Sequence, residues 1–210
     1  KFNGMFALAF WDRKEKSLLI ARDRYGIKPL YFFQDGKKFL FGSEQKAILK
    51  QPSFDKKINK KALLEYLTFQ NIFTEQTLLE GIYLLPAGHY GLLTQSDEKP
   101  FLKTFRYWDY KFSEPEKPAQ AEEYEEELDR LFKQAVNRQL VGDVELGSYL
   151  SGGMDSGSIT AIGTKSFPYL KTFTCGFDLS SASGIELAFD ERTKAEAMSA
   201  MFKTEHYEMV

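Results

Sequence analysis

The stretch Val144-Glu145-Leu146-Gly147-Ser148-Tyr149-Leu150-Ser151-Gly152-Gly153-Met154-Asp155-Ser156-Gly157-Ser158 constrains the fold more than any other part of the chain. Leu146, Tyr149 and Leu150 give an apolar strand end. Ser151-Gly152-Gly153 then turns the backbone sharply, because glycine accepts positive φ and carries no Cβ to hold a ligand away. Gly157 to about Ser166, through Ile159, Ala161 and Ile162, continues as a helix. Such a strand–loop–helix aims backbone N–H groups at one spot, at the positive end of a helix dipole, and so makes an anion site. The Ser151 and Ser156 hydroxyls suit phosphate oxygens. The Asp155 carboxylate is repelled by bare phosphate but suits Mg²⁺ held between phosphates. A Walker-A loop is excluded, since no Lys follows the glycines at the required spacing. On these residues alone, the competing reading is a glycine-rich connection with no ligand.

Composition sets the limits. At 210 residues the chain has room for one or two domains with cores of their own. Aromatics reach 15 %, with 43 % hydrophobic and 28 % charged residues, which excludes disorder over most of the length. A net charge of −2 argues against a nucleic-acid partner or an anionic membrane surface. No apolar run reaches membrane-spanning length. The single cysteine, Cys175, excludes an internal disulfide and fits a reducing cytoplasm. The chain opens on Lys1 directly into a strand pattern and stops within another, so the expectation is an internal piece of a longer protein.

Residues 1–110 read as mostly β. The expected strands are Gly4–Trp11, Ser17–Arg22, Lys28–Phe33, Lys38–Phe41, one near Leu92 and Phe105–Tyr110. Asp35-Gly36 between apolar runs is a strong hairpin signal. Ser43 is expected to cap a short helix to Leu49, and Asn59 a second whose apolar face is Leu63, Leu64, Tyr66 and Leu67. The triplet Arg22-Asp23-Arg24 reads as a structural ion pair whose charges partner each other. His89 and His206 read as packed or surface histidines.

Residues 113–120, with Ser113-Glu114-Pro115-Glu116-Lys117-Pro118, read as a linker. Tyr124, Leu128, Leu131, Phe132, Ala135, Val136 and Leu140 then fall on one helix face, with Gly142 as its stop. The acids at 122–127 read as a solvated face at the favourable end of the dipole. Leu170–Phe177 is a second strand, 178–186 a surface loop, Ala188–Phe202 a helix burying Ala195, Met198 and Met201, and His206–Val210 a third strand. Strand, helix and strand with short connections predict a parallel sheet, whose ligands sit at the strands' carboxyl ends. Asp190-Glu191-Arg192 either borders that ligand or places acids at a helix N-terminus. Cys175 alone reads as a buried strand thiol.

Ser-Gly-Gly-x-Asp-Ser after an apolar strand resembles the pyrophosphate loop of the N-type ATP pyrophosphatases, which include asparagine, GMP, NAD, argininosuccinate and β-lactam synthetases. Upstream, Phe2-Asn3-Gly4-Met5-Phe6-Ala7, Ala21–Tyr31, Gly42–Ala47, Leu85-Pro86-Ala87-Gly88-His89 and Tyr107-Trp108-Asp109 together resemble the C-terminal half of the class-II glutamine amidotransferase domain of the glutamine-hydrolysing asparagine synthetases. Thr172–Phe177 and Thr204–Glu208 resemble later strands of that family's synthetase domain. The resemblance implies an incomplete α+β, N-terminal-nucleophile (αββα) half domain over 1–112. An incomplete α/β parallel-sheet ATP pyrophosphatase domain follows over 121–210.

For the site, the resemblance implies that Ser151, Gly152, Gly153, Asp155 and Ser156 hold the pyrophosphate end of ATP. Asp155 would coordinate Mg²⁺, and Leu150 and Cys175 would touch adenine through their backbones; Cys at the latter position departs mildly from the family. No catalytic residue is expected here. The glutaminase cysteine would precede Lys1 and the synthetase lysine would follow Val210, so the piece alone should neither hydrolyse glutamine nor make asparagine. The whole protein would be a cytoplasmic, homodimeric asparagine synthase taking aspartate, glutamine and ATP. Alternatives are a related ligase with another carboxylate acceptor, such as β-lactam synthetase or a polysaccharide- or peptide-tailoring amidotransferase, and a non-catalytic nucleotide-binding module.

Overall fold

A computed structural model describes residues 2–52, 54–94, 101–176, 178 and 190–210, and divides the chain into Lys1–Ser113 and Glu114–Val210. In the first unit, β1 (Ala7–Asp12), β2 (Ser17–Arg22), β6 (His89–Thr94) and β7 (Lys103–Arg106) form one antiparallel sheet in the order β1-β2-β6-β7. A second antiparallel sheet is built from β3 (Tyr31–Gln34), β4 (Phe39–Gly42) and β5 (Ile82–Leu84), in the order β4-β3-β5. Both supply the core, in which Ile20 meets Leu30, Phe32, Leu85 and Leu102.

Aspartates close both leading hairpins. Asp12 Oδ1 accepts from the N–H groups of Lys14 and Glu15 at 2.8 and 3.1 Å. Asp35 Oδ1 accepts from Lys37 and Lys38 at 2.9 and 2.8 Å, with Gly36 at φ +81. A short acceptor side chain that holds its own following backbone is the Asx-turn mechanism. The first strand starts later than the pattern suggested, at Ala7, and the last ends earlier, at Arg106.

Among its described residues this unit has the helices α1 (Gln45–Leu49) and α2 (Lys60–Phe69). Ser43 does not cap α1; Glu44 occupies that position and makes no side-chain capping bond. Asn59 does cap α2, accepting from the N–H groups of Lys61 and Ala62 at 3.1 and 3.2 Å, while its Nδ2 donates to Gln76 at 2.7 Å. Asn59→Ala should therefore lower the unfolding free energy by about 1 kcal/mol. Urea titration followed by tryptophan fluorescence reads this unit alone, since Trp11 and Trp108 both lie in it. An unchanged midpoint would contradict the cap. The expected apolar face of α2 is not its packed face: Leu64 and Leu67 are 67 % and 71 % exposed, Tyr66 is exposed, and Ala62 is the buried residue. Periodicity marks a stripe but does not say which neighbour covers it.

The charged triplet is structural, but its bonds run to the backbone and not between its members. Arg22, nearly buried, donates from Nε to Lys28 O (2.9 Å), from Nη1 to Leu85 O (2.7 Å) and from Nη2 to Gly26 O (2.5 Å). The Asp23 carboxylate accepts the N–H groups of Phe6, Tyr25, Ile27 and Lys28 at 3.0–3.3 Å. Arg24 instead sits 5.9 Å from the Trp108 ring centroid.

The second unit runs α3 (Ala121–Gln139), β8 (Gly147–Tyr149), α4 (Met154–Ser166), β9 (Lys171–Cys175), α5 (Arg192–Phe202) and β10 (Glu205–Met209). The strands among its described residues are parallel, in the order β10-β9-β8, as the strand–helix–strand pattern requires. Helix α3 ends before Gly142, which is not its cap, and buries Val136 while Tyr124, Leu128 and Leu131 remain exposed. On α5 the buried residues are Ala195 and Ser199; Met201 points outward at 74 % exposure. Met198 is partly buried and lies against Gly157 of α4, where a Cβ would come within 2.9 Å of its sulfur. The expected loop at 178–186 and the first residues of the expected helix at 188–202 lie outside the described residues, except Asp178 and 190–202.

Candidate functional site

Leu150 follows β8 directly and is tightly held. Its N–H donates to Phe173 O at 3.0 Å, its carbonyl accepts the Thr174 hydroxyl, and its side chain is 1 % exposed. Both backbone groups are thus already engaged with β9. Ser151 to Ser156 then close on themselves. Ser156 Oγ accepts from Ser151 N at 3.1 Å, lies 3.1 Å from Ser151 Oγ and donates to Gly153 O at 3.2 Å. The two hydroxyls that the sequence offers to an anion hold the shape of the loop.

Gly152 has φ +76. A Cβ there would lie 2.5 Å from Lys194 Cβ and 3.0 Å from Ala195 N, so α5 packs directly beneath the turn. Gly153 is the N-cap of α4 and makes no side-chain capping bond. The first three N–H groups of a helix have no partner within it, and here they belong to Met154, Asp155 and Ser156. The helix starts at Met154, not Gly157, because Gly153 is still extended (φ −81, ψ 160) and the chain turns helical at once after it. Asp155 is exposed in this first turn, where the dipole favours an acid.

Beside the loop is a cleft of about 400 Å³ lined by Tyr149, Leu150, Ser151, Phe173, Thr174, Cys175 and Glu191. It lies at the carboxyl ends of β8 and β9. Leu150, Ser151 and Cys175 meet there, while Gly152, Gly153, Asp155 and Ser156 complete the adjoining turn. Cys175 is exposed, not a buried strand thiol, because it ends β9 where the strand opens into the cleft. Of Asp190-Glu191-Arg192, for which the sequence left open a ligand border or acids at a helix N-terminus, Glu191 lies in the cleft wall. What escaped the sequence is the clamp beside it, where Arg192 Nε and Nη2 donate to Asp190 at 2.5–3.0 Å and hold its carboxyl below the usual range. The Arg192 chain covers Gly176, where a Cβ would come within 2.5 Å of Arg192 Cδ.

Among the described residues no three His, Cys, Asp or Glu side chains gather as a metal cage. A single exposed carboxylate, Asp155, in the first turn of α4 still fits Mg²⁺, which takes one or two protein carboxylates together with phosphate oxygens and water. His206 is packed as expected: Nδ1 lies 2.9 Å from Thr172 Oγ1, and the buried Nε2 is 3.4 Å from Glu208. His89 places Nδ1 2.8 Å from Ala87 O. No described helix is long and apolar enough to cross a membrane.

Residues 1–108 match the family model for the glutamine amidotransferase domain. The chain belongs to the glutamine amidotransferase domain family. Past this amidotransferase portion, residues 127–210 match the family model for asparagine synthase, and the loop and cleft lie within that match. Asparagine synthetase [glutamine-hydrolyzing] 3 of Bacillus subtilis is 36 % identical over 218 residues, covering 99 % of this chain and 34 % of its own length. Asparagine synthetase [glutamine-hydrolyzing] 1 of the same organism is 33 % identical over 195 residues, covering 90 % and 29 %. Amidase chry2 of Gibberella zeae is 34 % identical over 165 residues, covering 76 % and 23 %. The amidotransferase chain spans about a third of the length of these synthetases. Its amidotransferase portion contains no cysteine, since Cys175 lies in the other unit.

Proposed function

We propose that this chain holds the pyrophosphate end of ATP in the turn Ser151–Ser156, as part of a glutamine-hydrolysing asparagine synthase. The observation that carries the reading is the uncapped N-terminus of α4 behind Gly152-Gly153, inside the portion that matches asparagine synthase. Residues 1–112 would be the C-terminal half of an αββα N-terminal-nucleophile glutaminase domain, 113–120 a linker, and 121–210 the start of an ATP-pyrophosphatase domain. The protein would work in the cytoplasm on small molecules.

In the reaction so read, the side-chain carboxylate of aspartate attacks the α-phosphate of ATP. The bond to pyrophosphate breaks, and ammonia from glutamine then displaces AMP to leave asparagine. The part played by these residues is electrostatic. The N–H groups at the start of α4 face the leaving pyrophosphate, whose charge grows as the bond breaks. One such donor is worth on the order of 3 kcal/mol in a transition state. Ser151 and Ser156 keep the turn in shape, and Leu150, pinned to β9, forms the cleft floor towards adenine together with Cys175. Asp155 would hold Mg²⁺, which supplies charge neutralisation between phosphates.

Calorimetry with ATP and Mg²⁺ tests this. Asp155→Ala should weaken Mg²⁺-dependent ATP binding roughly tenfold or more. Equal affinity in the variant, or no ATP binding by the unaltered chain, would overturn the reading. The similarity to a protein named an amidase favours one second reading, a related enzyme with a different acceptor carboxylate.

A further inference from the structure

We propose that Glu191 accepts the ribose hydroxyls of the nucleotide and so selects ribo- over deoxyribonucleotides; this rests on the ATP reading above. Among the described residues lining the cleft, Glu191 is the one that carries a charge. Its neighbours are committed to each other, because the Asp190 carboxylate is taken by Arg192. The Glu191 carboxylate itself makes no hydrogen bond to another described residue, and its backbone carbonyl accepts from Ala195 N at 3.0 Å as the first bond of α5.

Position and chemistry then narrow the ligand group. Arg192 is packed onto Gly176 at the end of β9, and Lys194 and Ala195 are packed onto Gly152 of the turn. Glu191 is therefore held between the cleft and the turn, where the sugar of a nucleotide must lie if its phosphates occupy the turn and its base the cleft. An ionised carboxylate only accepts hydrogen bonds. It repels polyphosphate and gains nothing from the acceptor nitrogens of a purine. A vicinal diol offers two donors to its two oxygens, the pairing by which acidic residues read ribose in dinucleotide sites.

The test compares ATP, 2′-deoxy-ATP and inosine triphosphate by calorimetry at several Mg²⁺ concentrations. The unaltered chain should prefer ATP over 2′-deoxy-ATP roughly tenfold, the range of one hydrogen bond to a charged group. Glu191→Ala should erase the preference, weakening ATP, which loses both hydroxyl bonds, by about tenfold more than 2′-deoxy-ATP, which loses only that of its 3′-hydroxyl. Glu191→Gln, which keeps the side-chain volume, should reduce the preference severalfold and carries the test if the Ala variant disturbs α5. Equal losses for ATP and 2′-deoxy-ATP, a changed Mg²⁺ dependence, or a changed ATP-to-inosine-triphosphate ratio would each overturn the proposal and reassign the carboxylate to the metal or the base. If Asp155→Ala abolishes ATP binding while the Glu191 variants discriminate as the unaltered chain does, the ATP reading stands and only this proposal falls. If the unaltered chain binds no ATP, both fall.

Discussion

Asp23→Ala should lower the unfolding free energy of the first unit by about 3–5 kcal/mol, the largest effect expected of any single change in the chain. Asp23 is 1 % exposed, and its carboxylate satisfies four backbone N–H groups, three from the loop after β2 and one, Phe6, from just before β1. Its own carbonyl takes two more, from Gly26 at 3.1 Å and Gly88 at 2.9 Å. Truncation leaves the four side-chain-bound donors without their acceptor in a nearly water-free setting, at about 1 kcal/mol or more for each. Asp23→Asn keeps one acceptor oxygen but turns an NH₂ toward the remaining donors, so a loss of about 2–3 kcal/mol is expected. Tryptophan fluorescence in urea checks both, and a cost under about 1 kcal/mol for Asp23→Ala would contradict the network.

The same network fixes a pH dependence. Burial works to raise the Asp23 pKa, but the N–H groups of Lys28, Ile27, Phe6 and Tyr25 overcome it and leave it lowered. A carboxyl with a depressed folded pKa binds fewer protons folded than unfolded, so stability rises with pH through that window. Its contribution is therefore complete above the unfolded value of about 4 and is lost as pH falls through the lower folded value. Asp23→Asn should flatten this acid limb; an identical limb in the variant would show that other carboxyls carry it.

Gly152→Ala should abolish measurable ATP binding while leaving the fluorescence-detected unfolding of the first unit unchanged. A left-handed conformation at φ +76 costs a residue with a Cβ roughly 1–2 kcal/mol. The added atom would also stand 2.5 Å from Lys194 Cβ and 3.0 Å from Ala195 N, neither of which is the yielding end of a flexible side chain. Either the turn flips out of its conformation or α5 moves away, and each destroys the alignment of the N–H groups at the start of α4. Gly153→Ala is the matched control. At φ −81 it carries no backbone strain, and its Cβ would meet only Ser151 Oγ at 3.3 Å, a hydroxyl that can rotate. It should retain most of the binding. Equal affinities for Gly152→Ala and the unaltered chain would show that the turn does not cradle the phosphates.

Much of the architecture was legible along the chain because it rests on neighbours a few residues apart. β2 falls on Ser17–Arg22 as the pattern required, and the Asp35-Gly36 hairpin and the Asn59 cap were readable from single residues whose partners lie within three positions. The strand–helix–strand order likewise specified a parallel sheet. The failures share a different cause. The apolar stripe on α2 was real, but burial depends on what packs there, and Leu64 and Leu67 face outward. Charge alternation suggested that Arg22 and Asp23 satisfy each other, whereas one partner of Arg22, the Leu85 carbonyl, is 63 positions away.

The glycine loop divides along the same line. By itself the sequence determined that a turn with a helix behind it follows an apolar strand, that the turn carries two hydroxyls and a carboxylate, and that no Walker lysine accompanies them. These are properties of residue type and spacing, and the backbone obeys them locally. Only the tertiary structure decided that the hydroxyls lock the turn, that α5 forbids a Cβ at Gly152, and that Glu191 stands in the cleft wall. Those relations join β8, α4, β9 and α5 through packing at distances that no local pattern encodes, because they exist only once the strands have paired.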